Sequence, residues 1–362
     1  MDETILDLPL DAQPDPDAFI QAAMRWHFDP ATGSPYWLQR ATTLGFDPRT
    51  DVKNVEDLAL FPNIVNELRD VRAEDLIPRG YGPNPDVVGV AESGGTTGAP
   101  KRVVFLRDWF ERSNAWMSSQ LDAHGVPRDV NWLGVIPSGP HMVGTSFAEQ
   151  ARRRGGLVFT VDMDPRWVKK LIAAGKADEA AAYTEHLVEQ AGFLLRSQDI
   201  GVLMTTPPLL ERIARHDDLV ELINKKVSAI QTGGAHMDAD TRYLFRTEVF
   251  PGVTLVDIYG STMVLGGSAE RLGVEDGPCV FDPPSPFITF AVIDPDTGRR
   301  VAYGQRGQVV MNHVSKAMLL PNNLERDLAT RIKPPTGQAG DSVADVTPVA
   351  TFDNETVIEG VY

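Results

Sequence analysis

Apolar runs of strand length recur between residues 131 and 259 with helical segments between them, and this alternation constrains the fold more than any other feature of the sequence. Trp132-Leu133-Gly134-Val135-Ile136, Leu157-Val158-Phe159-Thr160-Val161 and Val202-Leu203-Met204 read as buried strands. Between them lie helical patterns over Trp167 to Ala174 and Glu179 to Leu195, the latter placing Ala182, Leu187, Ala191 and Leu194 at helix-like spacing. Ala229 to Thr232 and Thr254 to Tyr259 read as two more strands, each ending in small residues. Strand, crossover helix, strand is the pattern of an α/β fold with a mostly parallel sheet, and ligands reach such sheets at their strand ends.

The flanks have a different texture. Residues 1–80 mix short helical patterns, Asp17 to His27 and Ser34 to Leu44, with Pro-rich turns, and are expected to form a helical lead-in. From about residue 278 the chain becomes all-β: Phe287 to Ile293, an Asp294-Pro295-Asp296-Thr297-Gly298 turn, then Gly307 to Met311. A small antiparallel sheet or barrel is expected over 278–362, with Thr351 to Tyr362 as a final strand. A central α/β unit over 81–277 completes the organisation.

Charge and cysteine content narrow the function classes. Across 362 residues, 34 Lys and Arg against 50 Asp and Glu give 34 − 50 = −16, a balance that argues against nucleic acid and anionic membranes as partners. The acidic start, Met1-Asp2-Glu3, lacks the positive charge of a signal peptide. The charge-free stretch Val130 to Ala148 is broken by Pro137 and Pro140, so no membrane span is expected. Cys279 is the single cysteine, so neither an internal disulfide nor a thiolate metal cluster is available, and a cytoplasmic location is expected. His27, His124, His186, His216, His236 and His313 show no metal-ligand spacing.

The strongest local signal is Glu92-Ser93-Gly94-Gly95-Thr96-Thr97-Gly98-Ala99-Pro100-Lys101. Three glycines permit close approach of backbone amides to an anion, three hydroxyls donate to phosphate oxygens, and Lys101 supplies a cation. Ala99 and Pro100 separate the last glycine from the lysine, so this is not a Walker A loop. The competing reading is a plain Gly- and Thr-rich surface loop.

Other segments follow in order: Ser138-Gly139-Pro140-His141-Met142-Val143-Gly144, Thr232-Gly233-Gly234-Ala235, Asp257-Ile258-Tyr259-Gly260-Ser261-Thr262 and Leu324-Glu325-Arg326-Asp327-Leu328. With the glycine loop, they resemble the motifs of the adenylate-forming superfamily of acyl-CoA synthetases, adenylation domains and luciferases. The likeness is strongest to the phenylacetate-CoA ligase branch, and especially to short relatives associated with phenazine-antibiotic biosynthesis. The resemblance implies the large N-terminal domain of that fold, with 81–277 as the nucleotide- and acyl-binding core. It implies ATP and Mg²⁺ as cofactors and a small aromatic carboxylic acid as substrate, converted to acyl-AMP with release of pyrophosphate. An acceptor or partner enzyme would supply the second step; the rival readings are a nucleotide- or acid-binding subunit without chemistry, or a CoA ligase acting with a partner.

The resemblance also implies residue roles. Lys101, Thr262 and His141 would be catalytic. Ser93, Gly94, Gly95, Thr96, Thr97 and Gly98 would cradle phosphates; Gly233, Gly234 and Ala235 would flank the adenine; Tyr259 would stack on it beside Asp257, with Gly260, Ser261 and Thr262 completing the nucleotide site. Asp327 would hold the ribose hydroxyls, with Asp341 as the rival. His141, Met142, Val143, Gly144, Gly233, Met263 and Val264 would line the acid pocket. Tyr259 as a core aromatic, Thr262 as a turn cap and His141 as a packed histidine remain the alternatives. Met263 stands where the family has a magnesium-binding glutamate, which leaves the metal ligands unknown and makes Glu270 a sequence-near candidate. Only 35 residues follow Asp327, so the mobile C-terminal domain of the family and its lysine are expected to be absent.

Overall fold

In the computed structural model, residues 3–93, 99–274, 277–349, 351–352 and 355–356 are described. The amino-terminal stretch begins with α1 (Pro16–Phe28), started by the Asp15 side chain, which accepts from Ala18 N at 2.8 Å, and by proline at the first helical position. The same device, a Ser or Asp cap followed by proline, starts the short α2 (Pro35–Arg40) and α3 (Pro48–Asp51). These helices do not form a layer of their own. Phe19 packs edge-on against Phe287 with ring centroids 4.7 Å apart, and Trp37 Nε1 donates to Leu319 O at 2.9 Å. The lead-in is therefore cladding on the carboxyl-terminal sheet, and the two share one hydrophobic core.

An antiparallel hairpin, β1 (Val87–Glu92) and β2 (Arg102–Leu106), pairs Glu92 with Arg102 and leads into α4 (Arg107–Ala123). The expected alternation then follows. It runs β3 (Asn131–Val135), α5 (Met142–Arg153), β4 (Val158–Thr160), α6 (Pro165–Ala173), α7 (Ala177–Ser197) and β5 (Ile200–Thr205). After these come α8 (Pro207–Ile213), α9 (Asp217–Lys226), β6 (Ala229–Gly233), α10 (Ala239–Leu244), β7 (Thr254–Ser261) and β8 (Gly266–Ala269). The strands form one sheet in the order β4-β3-β5-β6-β7-β8, parallel throughout except for the β7–β8 pair.

Because side chains alternate along a strand, register assigns each residue to a face. The row Leu133, Leu203, Ile230, Leu255 faces α7, α8 and α9. The row Gly134, Met204, Gln231, Val256, together with Trp132 and Val202, faces α4 and α5.

The last part of the chain is a five-stranded antiparallel sheet, order β10-β11-β12-β13-β9, built from β9 (Val280–Phe281), β10 (Ile288–Ile293), β11 (Arg306–Val314), β12 (Leu319–Ile332) and β13 (Ser342–Pro348). Among the described residues its edge strands β9 and β10 do not pair, so it is an open sheet and not a barrel. Of the expected final strand, only Thr351–Phe352 paired with Glu355–Thr356 is described. No helix among the described residues is long and apolar enough to cross a membrane.

Candidate active site

Where β3, β5, β6 and β7 end, the chain opens a cavity of about 670 Å³, roofed by β12 and β13 of the antiparallel sheet. The hairpin brings its loop to this mouth. Ser93 N donates to Lys101 O at 3.0 Å and Lys101 N donates to Ser93 Oγ at 3.0 Å, so the two ends of the loop are held together. Both residues are on the cavity wall, and the Lys101 side chain is nearly buried. Gly94, Gly95, Thr96, Thr97 and Gly98 lie outside the described residues.

His141 caps the start of α5 and lines the cavity, as do Met142 and Val143. Burial, and then the positive charge of Arg166, hold its imidazole below the usual histidine range, so it is neutral at physiological pH. Gly144 is placed otherwise than expected. It is off the cavity wall and faces the preceding turn, where a Cβ would meet Pro137 O at 2.6 Å.

At the end of β6, Gly233, Gly234 and Ala235 form a strip of bare backbone along the wall. A Cβ on Gly233 would meet Ile258 O at 2.7 Å, and Gly234 has φ +79°, a left-handed conformation that glycine adopts without strain. Facing this strip, β7 presents Asp257, Tyr259, Gly260 and Ser261, and the 3-10 turn after it presents Thr262 and Met263.

Asp257 is buried and accepts from Thr232 Oγ1 at 2.8 Å. Burial pushes its carboxyl up to about 7, with Glu270 nearby adding in the same direction. Tyr259 OH donates to Asp327 Oδ2 at 3.0 Å, and its ring packs against Phe281 and Phe290 at 5.5 and 5.8 Å. Burial and the Asp327 charge push the phenol well above its usual range, so it remains a hydrogen-bond donor. Asp327 is on the cavity wall.

Three sequence expectations are corrected. Asp341 is not a rival for the ribose: it is fully buried, paired with Arg331 Nε at 2.8 Å and accepting from Val292 N, away from the cavity. Val264 does not line the acid pocket; it lies in the core, and its carbonyl accepts from His313 Nδ1 at 2.6 Å. Glu270 is no metal ligand in waiting, because its carboxylate is bound by buried Arg242 and by the Cys279 thiol at 3.2 Å. Met263 is both cavity wall and core, a neutral sulfur that does not suit a hard cation.

Sequence reasoning missed Glu325, which faces the cavity between Lys101 and Ser261. It hydrogen-bonds the Ser261 hydroxyl and Asn323 Nδ2, the latter at 2.6 Å, and burial raises its carboxyl above the usual range. The Glu325-Arg326-Asp327 run reads as a surface charge cluster in the sequence, whereas in the fold all three residues are half-buried and line the cavity. Among the described residues, no group of three His, Cys, Asp or Glu side chains is arranged to hold a metal ion.

No family model matches the chain. A phenylacetate-coenzyme A ligase of Pseudomonas putida is 25% identical over 348 residues, 93% of this chain and 71% of that protein. A second, from Aromatoleum evansii, is 24% identical over 335 residues, 90% of this chain and 68% of that protein. Among solved structures, 2-hydroxyisobutyryl-CoA ligase in the postadenylation state matches with a TM-score of 0.65 and 15% identity, covering 98% of this chain and 70% of that one. An open conformation of the same ligase, in complex with 2-HIB-AMP and CoA, matches with a TM-score of 0.64 and 16% identity, covering 94% and 77%. The chain is thus similar in sequence to phenylacetate-coenzyme A ligases and shares its fold with 2-hydroxyisobutyryl-CoA ligase.

Proposed function

We propose that the cavity is the site of an ATP-dependent ligase that joins a small carboxylic acid to AMP and then passes the acyl group to an acceptor. One observation carries the reading: a cation, two hydroxyls and a tyrosine-bound carboxylate, Lys101, Ser261, Thr262 and Asp327, stand around one pocket beside a strip of bare glycine backbone. That set matches a nucleotide part by part. Glycine backbone permits an adenine ring to lie flat against the strand end. Asp327 accepts from a vicinal diol, and its hydrogen bond from Tyr259 fixes the orientation of its second oxygen. Lys101 neutralises phosphate oxygens and the Thr262 hydroxyl donates to them, while Glu325 holds the Ser261 hydroxyl.

In the proposed step, a carboxylate oxygen of the acid attacks the α-phosphorus, the bond to the bridging oxygen breaks, and pyrophosphate leaves with the electron pair. The protein's share is alignment and charge stabilisation at the phosphorus, the usual division of labour in phosphoryl chemistry. Neutral His141 bounds the acid side without adding a charge that would hold the substrate carboxylate back from attack. Mg²⁺, when it accompanies ATP, would offset phosphate charge. The wall offers hard oxygen donors, Ser261, Thr262 and Glu325, but among the described residues no ligand set that would hold the ion without the nucleotide.

The apolar part of the pocket, with Trp132, Phe147, Met117 and Met204, supports an aromatic acid. The curated relatives, both phenylacetate-coenzyme A ligases, support coenzyme A as the acceptor over an amine or carrier protein. A cytoplasmic setting accords with these solutes and with a single buried cysteine. A place in natural-product biosynthesis rests on the sequence resemblance alone. Calorimetry and pyrophosphate exchange test the reading together. Lys101→Ala is expected to weaken ATP by about 1.5–3 kcal/mol and to suppress exchange. Unchanged ATP affinity would remove Lys101 from the nucleotide site, and ATP binding without exchange for any acid of a broad panel would favour a binding subunit.

A further inference from the structure

Deep in the same cavity, polar atoms stand unpaired among apolar neighbours. Gln150 on α5 lines the cavity and is 4% exposed. A chain of hydrogen bonds fixes its orientation. Asn114 Nδ2 donates to Phe110 O at 2.8 Å, and Gln150 Nε2 donates to Asn114 O at 2.8 Å and to Asn114 Oδ1 at 2.9 Å. A backbone carbonyl only accepts, so the amide nitrogen of Gln150 must face Asn114 and Oε1 must face away. That oxygen is buried with no partner among the described residues.

Two donors share the cavity with it. Gln231 on β6 is 2% exposed, lies in register between Met204 and Val256, and has Nε2 unpartnered among the described residues. Trp132 on β3 is fully buried, and its Nε1 is in the same condition. Leaving a buried polar atom unpaired costs roughly 1–3 kcal/mol, and folded proteins leave few of them. A fourth such atom, Thr206 Oγ1, lies on the cavity wall beside Gly234; the other three, together toward α4 and α5, point to a ligand that completes them.

Their position says which part of the ligand. His141 begins α5 and Gln150 is nine residues on, roughly 13 Å along the axis at about 1.5 Å per residue. Gln231 precedes Gly233 by two residues, roughly 7 Å along the strand. The unpaired atoms therefore lie away from Lys101 and Thr262, where the carboxyl is to react.

We propose that the acid recognised here carries a hydroxyl at the end distant from its carboxyl, donating to Gln150 Oε1 and accepting from Gln231 Nε2 or Trp132 Nε1. A hydroxyl has one hydrogen to give and two lone pairs to offer, so a single small group answers both kinds of atom. A hydrocarbon end leaves all three unsatisfied, and a second carboxylate, which only accepts, would leave the Gln150 oxygen without a donor. This assignment rests on the adenylation reading only for which end of the acid enters last.

Tryptophan fluorescence tests it without turnover, since Trp109, Trp116 and Trp132 line the cavity. Phenylacetate, 3- and 4-hydroxyphenylacetate and 4-aminophenylacetate are titrated into the full chain with ATP and Mg²⁺, and pyrophosphate exchange is followed in parallel. At least one hydroxylated acid is expected to bind tenfold or more tighter than phenylacetate, with the amino acid analogue weaker than its hydroxyl counterpart. Gln150→Leu and Gln231→Leu are each expected to reduce the hydroxyl preference to less than threefold. Gln150→Leu strips Asn114 of its partner, so Gln231→Leu, which removes no hydrogen bond recorded among the described residues, keeps the test independent of folding. Phenylacetate binding as tightly as every hydroxylated acid, a preference that survives both substitutions, or no binding by any of the four overturns the proposal. Selective binding without pyrophosphate exchange supports the pocket assignment and overturns the adenylation reading.

Discussion

The two faces of the parallel sheet carry the same backbone and opposite chemistry. Toward α7, α8 and α9, the row Leu133, Leu203, Ile230 and Leu255 is apolar and buried, and it ends at the carboxyl edge in Thr232 and Asp257, which bond each other. Toward α4 and α5, the adjacent row holds Gln231 between Met204 and Val256, and the helices bring Asn114 and Gln150 inward. One face, closed by its helices, is apolar up to that edge, where Thr205 Oγ1 is buried without a partner among the described residues; the other, open to the cavity, keeps unpaired amides within its apolar rows. The difference teaches that a sheet can assign stability to one side and recognition to the other through a one-residue shift in which positions are apolar.

Several measurements would break or sharpen that contrast. The largest effect is expected at the charged edge of the closed face, where Arg242→Leu strands the buried Glu270 carboxylate and should cost about 3–5 kcal/mol in urea unfolding; a small loss would mean that Glu270 finds water. Leu203→Ala on the closed face should cost about 2–5 kcal/mol, whereas Gln231→Leu on the open face should leave stability within about 0.5 kcal/mol of wild type or raise it. Equal losses at the two positions would erase the distinction between the faces.

A pH titration of stability isolates Asp257. Its carboxyl is raised to about 7 in the folded chain, against about 3.9 when unfolded. Between those values the folded state holds a proton that the unfolded state releases, so this group's contribution is full below about 4 and is lost as pH rises through about 7. Subtracting the Asp257→Asn curve from wild type should leave a descending step in that window, and a flat difference would place the proton elsewhere. The smallest effect is expected from Tyr259→Phe, which removes the phenol's hydrogen bond to Asp327 and should weaken ATP by about 0.5–1.5 kcal/mol. The loss should shrink with 2′,3′-dideoxy-ATP, because the mutation and the missing hydroxyls act on one carboxylate.

The parallel strands were legible in the sequence to within a residue or two because each is a short apolar run closed by turn residues, as Ile200–Thr205 and Ala229–Gly233 illustrate. Helix α4 was not legible. Its inward positions are Trp109, Phe110, Asn114, Ser118 and Leu121, and two polar residues among five blur the helical period. The same mixture hid the pocket: nothing in the sequence singles out Asn114 or Gln150, and only the folded chain shows that one orients the other. Local motifs located Lys101, Tyr259 and Asp327 on one cavity. They did not single out Glu325 or remove Asp341, Glu270 and Val264, since burial against distant strands leaves no mark within a few residues of sequence.

The hydrogen bond between Tyr259 and Asp327 crosses from one sheet to the other, and the Tyr259 ring rests on Phe281 and Phe290 of the second sheet's core. A molecule held by Asp327 on one side and by the end of β6 on the other would therefore act as a further fastener between two sheets already joined through Glu270 and Val264. Its binding free energy is shared by both, so saturating ligand raises their resistance to unfolding together, by an amount that grows with the logarithm of its concentration. The two sheets would then melt as one cooperative unit when the fastener is present, and the seam between them is where opening would begin when it is not.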